Sequence, residues 1–156
     1  LWAKVASRAD RYWNAQAKSQ EAFRGAWFRS GDMYTVDGEG YWHHQGRADD
    51  MLKISGQWVS AGEIEDAALA HAGMRDACAV GLPDSDGLPR VALFVVPPQA
   101  GADEVTLAEN IRAALKAHLS PYKIPKWIKP VPEIPRTATG KAQRFVLRQK
   151  YEGGVR

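Results

Sequence analysis

The chain is poor in cysteine and contains no long apolar run, and both features limit the classes of protein to which it can belong. Cys78 is the only cysteine among 156 residues, which excludes an internal disulfide and predicts a reducing compartment, the cytoplasm. It lies in the apolar run 77–80 with no cation beside it, which predicts a buried thiol rather than a nucleophile. No segment approaches the ~18 apolar residues of a membrane span. No membrane association is therefore expected.

Two kinds of binding site are not indicated by the sequence. His43 and His44 are adjacent, so in a strand they point to opposite faces and cannot chelate one ion together. His71 and His118 have no ligand-like partners near them in sequence, so no metal site is predicted within the chain. The basic segment near the end lacks a regular alternation of basic and aromatic residues, so nucleic acid is not an expected partner.

The charge is distributed unevenly along the chain. Residues 1–115 carry 11 Lys/Arg and 16 Asp/Glu, a net charge of −5, whereas residues 116–156 carry 10 and 2, a net charge of +8. On charge alone, the basic end predicts attraction to a polyphosphate, a nucleic acid or an anionic membrane. A solvated basic tail is the alternative that charge alone leaves open.

Turn residues, capping boxes and apolar runs predict an α+β fold. Turns at residues 37–40 and 55–56 predict two small hairpins. The boxes that begin at Ser60 and Thr106 predict two helices. Residues 9–24 are helix-prone, with Trp13 and Phe23 as predicted buried anchors. Buried strands are predicted at 77–82, 91–96 and 127–131, and a basic helix follows to about residue 151.

The order of these elements predicts a domain boundary near residue 48. Residues 49–156 are expected to form a small domain with a two-stranded hairpin and a three-stranded sheet flanked by helices. Residues 1–48 contain too few elements for a core of their own. They are interpreted as the trailing edge of a larger N-terminal domain, and the chain, which does not begin with Met, is expected to be part of a longer protein.

The clearest chemical feature is the loop from Pro135 to Lys141, which presents a lysine directly after Gly140. It is not a phosphate-binding P-loop, because Pro135 stands where that motif needs its first glycine and Ala142 where it needs a hydroxyl. A lysine here offers one compact charge that can stabilise negative charge developing on a substrate. An ordinary surface lysine is the plain alternative.

Two further groups of residues are candidates for chemistry. Asp32, in the tripeptide Ser30-Gly31-Asp32, could accept hydrogen bonds from a ribose diol, and Arg47 offers a planar fork of donors for ribose or phosphate oxygens. Asp49 lies at the predicted boundary between the domains and is a candidate hinge. A turn aspartate and a local Arg–Asp pair are the structural alternatives.

Taken in order, these motifs resemble the adenylate-forming (ANL) superfamily, which includes acyl- and aryl-CoA ligases. The benzoate-type aryl-CoA ligases resemble the chain most. The resemblance covers nearly the whole chain. Its motifs are Ser30-Gly31-Asp32, Gly46-Arg47-x-Asp49-Asp50-x-x-Lys53-x-x-Gly56-x-x-Val59-x-x-x-Glu63-Ile64-Glu65, Pro121-Tyr122-Lys123-x-Pro125 and Pro135-x-Thr137-x-x-Gly140-Lys141-x-x-Arg144.

The resemblance implies a reaction in two steps, with ATP, coenzyme A and an aryl carboxylic acid such as benzoate as substrates. The acid and ATP give an acyl-AMP and pyrophosphate; the small domain then rotates, and the thiol of coenzyme A displaces AMP. Mg²⁺ is implied with ATP, its ligands lying outside this segment. The implied roles are nucleotide binding for Asp32 and Arg47, the hinge for Asp49, catalysis for Lys141, and the thioester-forming face for Gly56, Gln57 and Trp58.

The resemblance also limits what the chain is expected to do alone. The phosphate loop, the acyl pocket and the residues that pack on adenine precede this segment in the family, so these 156 residues by themselves are expected to be inactive. The expected partners are the rest of the N-terminal domain and the small-molecule substrates. Two alternatives remain, a peptide-synthetase adenylation domain and a non-catalytic binding module that retains the fold.

Overall fold

The computed structural model describes residues 1–99, 101 and 103–151. The chain divides into two compact units, Leu1–Asp49 and Asp50–Arg156. This division lies one residue beyond the boundary that the sequence predicts. The assignment of the units to a larger N-terminal domain and a mobile C-terminal domain stays a prediction.

The first unit contains two small antiparallel sheets and one short helix. One sheet has the strand order β1-β3-β2, and β4 and β5 pair as the predicted hairpin. None of the described residues 1–48 is fully buried. The elements are β1 (Trp2–Ala3), α1 (Gln16–Ala22), β2 (Phe23–Arg24), β3 (Trp27–Arg29), β4 (Asp32–Val36) and β5 (Trp42–Arg47).

The helix prediction for residues 9–24 is wrong at both ends. Phe23, one of the two predicted anchors, is half-buried but lies in β2 rather than in the helix. Helix α1 begins only at Gln16, and the side chain of Trp13 is not a buried anchor but 97% exposed. Asn14, between them, has a φ of +48°, which is incompatible with a right-handed helix. Trp13 therefore lies outside the helix and has no helical face on which to pack.

The second unit is the predicted α+β domain, a two-stranded hairpin and a three-stranded sheet with helices. A 3₁₀ turn, Ala48–Asp50, spans the division between the units. The sheet order is β10-β9-β8, with β8 antiparallel and β10 parallel to β9. The elements are β6 (Met51–Ile54), β7 (Gln57–Ser60), α2 (Ala61–Ala72), β8 (Asp76–Pro83), β9 (Pro89–Val96), α3 (Glu104–His118), β10 (Trp127–Pro130) and α4 (Arg144–Tyr151).

The two capping boxes differ in how they start their helices. Ser60 caps α2 as predicted, and its hydroxyl accepts a hydrogen bond from the Glu63 amide at 3.3 Å. Thr106 does not cap α3, because Asp103 already accepts the Thr106 amide at 2.8 Å and the helix begins at Glu104. A carboxylate is a good N-cap and also interacts favourably with the positive end of the helix dipole. The helix is therefore three residues longer at its start than predicted.

The core lies on both faces of the three-stranded sheet, because side chains alternate along each strand. On one face, residues such as Ala79 and Leu93 pack with α2, α3 and the β6–β7 hairpin. On the other face, Cys78 and Phe94 pack with α4 and the segment before it. Strand β10 lies parallel to β9 because α3 connects them, as a parallel crossover requires. No helix in the described part of the chain is long and apolar enough to cross a membrane.

Candidate functional site

Lys141 lies at the end of a closed turn. The Gly140 amide donates to the carbonyl of Thr137 at 2.9 Å, and the Thr137 amide donates to the carbonyl of Lys141 at 2.8 Å. The Lys141 amide in turn donates to the Thr137 hydroxyl at 3.1 Å. Gly140 has a φ of +82°, the left-handed conformation that follows a type I turn in this kind of loop. The backbone beneath Lys141 is therefore fixed by local bonds.

The same turn is tied to the sheet by Arg136. This arginine pairs with the carboxylate of Asp76, the first residue of β8, through contacts of 2.6 Å and 3.2 Å. It also donates to the carbonyl of Gly140 at 2.6 Å. The hydrogen bonds to Asp76 raise the pKa of Arg136. Lys141 itself is exposed, and its amine makes no hydrogen bond or ion pair with the described residues of its own unit.

Asp32 and Arg47 face each other across the β4–β5 hairpin. They are register partners, and the guanidinium lies 3.4 Å from the Asp32 carboxylate. A Cβ on Gly31 would lie 3.0 Å from that guanidinium, so a side chain at this position would displace Arg47. Arg47 also lines an open pocket of about 510 Å³ in the first unit. The pocket is lined by Tyr12, Ala15, Lys18, Glu21, Ala22, Arg29, Ser30, Gly31 and Arg47.

Asp49 occupies the middle of the 3₁₀ turn Ala48–Asp50, at the last residue of the first unit. Its side chain lies outside the described part of the structure. The turn follows β5 and precedes β6 directly, and Asp49 is a register partner in neither hairpin. A backbone change at this residue would therefore not break the pairing of either hairpin.

Gly56, Gln57 and Trp58 lie at the tip of the β6–β7 hairpin. Ser55 and Gly56 both have positive φ, +49° and +82°, and form a two-residue type I′ loop. A Cβ on Gly56 would meet no atom within 4 Å, so glycine is present for its backbone conformation and leaves open space. Trp58 is 59% exposed, and the amine of Lys53 lies 6.0 Å from its ring. No hydrogen bond or ring contact among the described residues joins these three residues to Lys141.

Arg144, the last residue of the final sequence motif and one with no predicted role, lies in a half-buried ionic cluster. Its guanidinium donates to Asp50 at 2.9 Å and to both carboxylate oxygens of Glu65 at 2.9 Å. Glu65 also accepts the Ala79 amide at 2.8 Å. Burial raises the pKa of Glu65, while the Ala79 hydrogen bond and the charge of Arg144 oppose this. These partners lie 94 and 79 residues from Arg144, so no local pattern could have indicated the cluster.

The structure brings together two histidines that are distant in sequence. The rings of His71 and His118 stack with centroids 3.6 Å apart and an angle of 11° between planes. The described residues contain no group of three or more His, Cys, Asp or Glu side chains that could hold a metal ion. The stacked pair is therefore a contact between the ends of α2 and α3.

Comparison with known proteins gives a consistent family. The model described as AMP-binding enzyme C-terminal domain matches residues 63–141, about half of the chain. The chain is 47% identical over 143 residues to a 3-hydroxybenzoate–CoA ligase of Aromatoleum sp. strain CIB, covering 92% of this chain and 27% of that protein. It is 48% identical to a benzoate–CoA ligase of Thauera aromatica, covering 91% and 27%.

A solved structure shows the same architecture. The anthranilate CoA ligase AuaEII, in complex with anthranoyl-AMP, matches with a TM-score of 0.84 and 37% identity, covering 94% of this chain and 28% of that one. The chain thus spans about a quarter of the length of these relatives. The α+β fold and the resemblance that the motifs indicate are confirmed. The chain belongs to the AMP-binding enzyme C-terminal domain family of adenylate-forming enzymes.

Proposed function

We propose that this chain carries the lysine-bearing domain of an ATP-dependent aryl-CoA ligase. The reaction joins a carboxylate to ATP, releasing pyrophosphate, and then transfers the acyl group from AMP to the thiol of coenzyme A. The observation that carries the proposal is Lys141, exposed on a closed turn and without a partner among the described residues of its own unit. The similarity to benzoate- and 3-hydroxybenzoate–CoA ligases over more than nine-tenths of the chain supports this reaction class.

In the first step, Lys141 bridges the substrate carboxylate and the α-phosphate of ATP. The carboxylate oxygen attacks the α-phosphorus and pyrophosphate leaves, so negative charge develops between two anionic groups. A preorganised cation at that point stabilises the transition state more than the ground state. The fixed backbone from Thr137 to Gly140 supports this role, because the ammonium group is presented from a defined position.

Asp32 and Arg47 hold the ribose and phosphate end of the nucleotide. The Asp32 carboxylate is about one-quarter exposed, so it can accept bonds from hydroxyl groups while it faces Arg47. Arg47 both orients that carboxylate and presents donors to the pocket of the first unit. Two opposite charges placed side by side suit a ligand that carries hydroxyl donors and phosphate acceptors together.

In the second step, rotation of the second unit about Asp49 exchanges the face that meets the acyl-AMP. Lys141 leaves, and Gly56, Gln57 and Trp58 arrive at the thioester-forming site. The open space at Gly56 supports this, because a narrow thiol-bearing arm needs backbone without a side chain at its closest approach. Asp49 at the division between the compact units supports its role as the pivot.

The substrate class, metal and location complete the proposal. The acid is an aryl carboxylic acid such as benzoate, in line with the relatives. Mg²⁺ accompanies ATP and is not assigned to this chain, whose described residues offer no metal-binding cluster. The enzyme acts in the cytoplasm, which the single buried Cys78 supports because it needs no oxidising compartment.

The test is thioester synthesis by the longer enzyme proposed to contain this chain. With ATP, Mg²⁺, coenzyme A and benzoate or 3-hydroxybenzoate, we expect acyl-CoA, AMP and pyrophosphate in equal amounts, and little product with acetate. The 156-residue chain alone is expected to give none. Pyrophosphate exchange without thioester formation in the longer enzyme would favour the peptide-synthetase alternative. The absence of both activities would favour the binding module.

A further inference from the structure

Arg144 connects two parts of the second unit whose distance from each other stays fixed in the proposed mechanism. One is Asp50, the residue directly after the proposed pivot, and the other is the Lys141 loop, which ends three residues before Arg144. We propose that Arg144 is a positioning residue that holds the Lys141 loop at a fixed distance from the hinge. This inference rests on the proposed function and assigns a role to a group that touches no substrate.

The contacts place the guanidinium between three segments. Nη1 donates to Asp50 at 2.9 Å, and Nη2 donates to both oxygens of Glu65 at 2.9 Å. Glu65 lies on α2 and accepts the Ala79 amide of β8 at 2.8 Å, which fixes its position against the sheet. One planar side chain therefore links the residue after the hinge, helix α2 and the start of α4. Lysine could not make these bonds, because its single ammonium group lacks the fork geometry.

The cluster is largely buried, which makes its charged groups costly to hold in place. The side chains of Arg144 and Glu65 are only 20% and 15% exposed. The Nε of Arg144 is buried and has no hydrogen-bond partner among the described residues. Burial opposes the charge on Arg144, and the charges of Glu65 and Asp50 overcome this and raise its pKa. The arginine thus stays in the interior although one of its donors is unsatisfied, which points to a requirement for its position.

The link survives the proposed rotation. Asp50, Glu65 and Arg144 all belong to the second unit, so rotation at Asp49 leaves their bonds intact. Helix α4 begins at Arg144, and the Gln143 amide donates to the carbonyl of Pro135 at 2.7 Å, which closes the base of the Lys141 loop. A movement of the chain at the hinge is therefore passed to this base through Arg144, in addition to the anchor of Arg136 on Asp76. Without Arg144, the loop would keep only the Arg136 anchor, its turn would open more often, and its distance from the pivot would no longer be fixed.

The kinetic test uses Arg144→Lys and Asp50→Asn in the longer enzyme, with Arg75→Gln as a control. Arg75 is an exposed arginine of the same unit and makes no ion pair with the described residues. We expect kcat for acyl-AMP formation to fall about 10- to 100-fold in both test variants, as expected when a catalytic charge is misplaced by about 1 Å. The KM for ATP should stay within about twofold, because the nucleotide contacts lie elsewhere. Thioester formation from supplied acyl-AMP should change little.

A second readout does not depend on activity. Amide hydrogen exchange should accelerate in both test variants at Gly140 and Gln143, whose amides close the loop, and stay unchanged at Leu115 in the core of α3. The control should match wild type throughout. Uniform acceleration of exchange across the unit, or equal loss in both half-reactions, would show that Arg144 only stabilises the unit as a whole. Either result would overturn the inference.

The two readouts separate the inference from the proposed function. If the wild-type enzyme forms no thioester but the loop amides respond as expected, the proposed function fails and the structural link stands. If the wild-type enzyme is active and the loop amides and kcat are unchanged in Arg144→Lys, the inference fails and the proposed function stands.

Discussion

Replacing Lys141 by alanine separates the chemical role of this residue from any structural one. The turn beneath it is closed by backbone groups, the Thr137 hydroxyl and Arg136, none of which Lys141→Ala removes. The lysine side chain is exposed and bonds to nothing described in its unit. We therefore expect the free energy of unfolding to change by less than about 0.5 kcal/mol.

The expected effect on catalysis is much larger and selective. Removal of one preorganised group that stabilises developing charge typically lowers kcat by about 10²–10³. Formation of acyl-AMP, followed by ATP–pyrophosphate exchange in the longer enzyme, should fall by this factor. Thioester formation from supplied acyl-AMP should stay within about threefold of wild type, because in the proposed second step Lys141 has left and Gly56, Gln57 and Trp58 meet the acyl-AMP.

The control is Lys116→Ala, which removes an exposed lysine from the last turn of α3. It should leave ATP–pyrophosphate exchange at the wild-type rate. Equal losses in both half-reactions of Lys141→Ala, or an unchanged first half-reaction, would refute the role that we assign to Lys141. A large fall in thermal stability would instead show that the turn depends on the lysine.

Three further predictions concern the hinge, the turn and the buried thiol. Asp49→Pro fixes φ at the proposed pivot and should slow the full reaction about 10-fold or more, and a normal rate of thioester formation would exclude Asp49 as the pivot. Gly140→Ala should destabilise the chain by about 1–2 kcal/mol in urea denaturation, because its φ of +82° disfavours a side chain although the space is open, whereas Gly62→Ala, inside α2, should stabilise it by up to about 1 kcal/mol. Burial raises the pKa of the Cys78 thiol from 9.0 to about 12, so its contribution to stability is complete below about pH 9 and is lost as the pH rises toward 12. Relative to Cys78→Ala, the wild-type free energy of unfolding should fall by about 1.4 kcal/mol per pH unit in that window, and parallel pH profiles would contradict the assignment.

Local signals in the sequence were sufficient for most of the second unit. The turn residues Ser55 and Gly56 and the cap at Ser60 act on their neighbours within three residues, so their effect can be read from sequence alone. The start of α3 was wrong because two candidate caps compete there, and Asp103 captures the Thr106 amide. Which of two candidate caps three residues apart begins the helix depends on the path of the preceding chain.

Distant partners could not be predicted for the candidate site. The loop of Lys141 was identified from its glycine and proline residues, but its anchor, Asp76, lies 60 residues from Arg136. The same holds for Arg144 and Asp50, which are 94 residues apart. Such pairs depend on how the sheet and α2 bring segments together, and a single sequence carries no local signal for that.

The closed turn beneath Lys141 has a consequence for the time course of the proposed reaction. A flexible loop would sample the substrate by its own motion in nanoseconds to microseconds, but this turn is closed by its own hydrogen bonds. The arrival of the ammonium group then depends on the movement of the entire second unit, a class of motion that takes microseconds to milliseconds. Turnover would accordingly respond to solvent viscosity, because a moving domain experiences far more friction than a side chain.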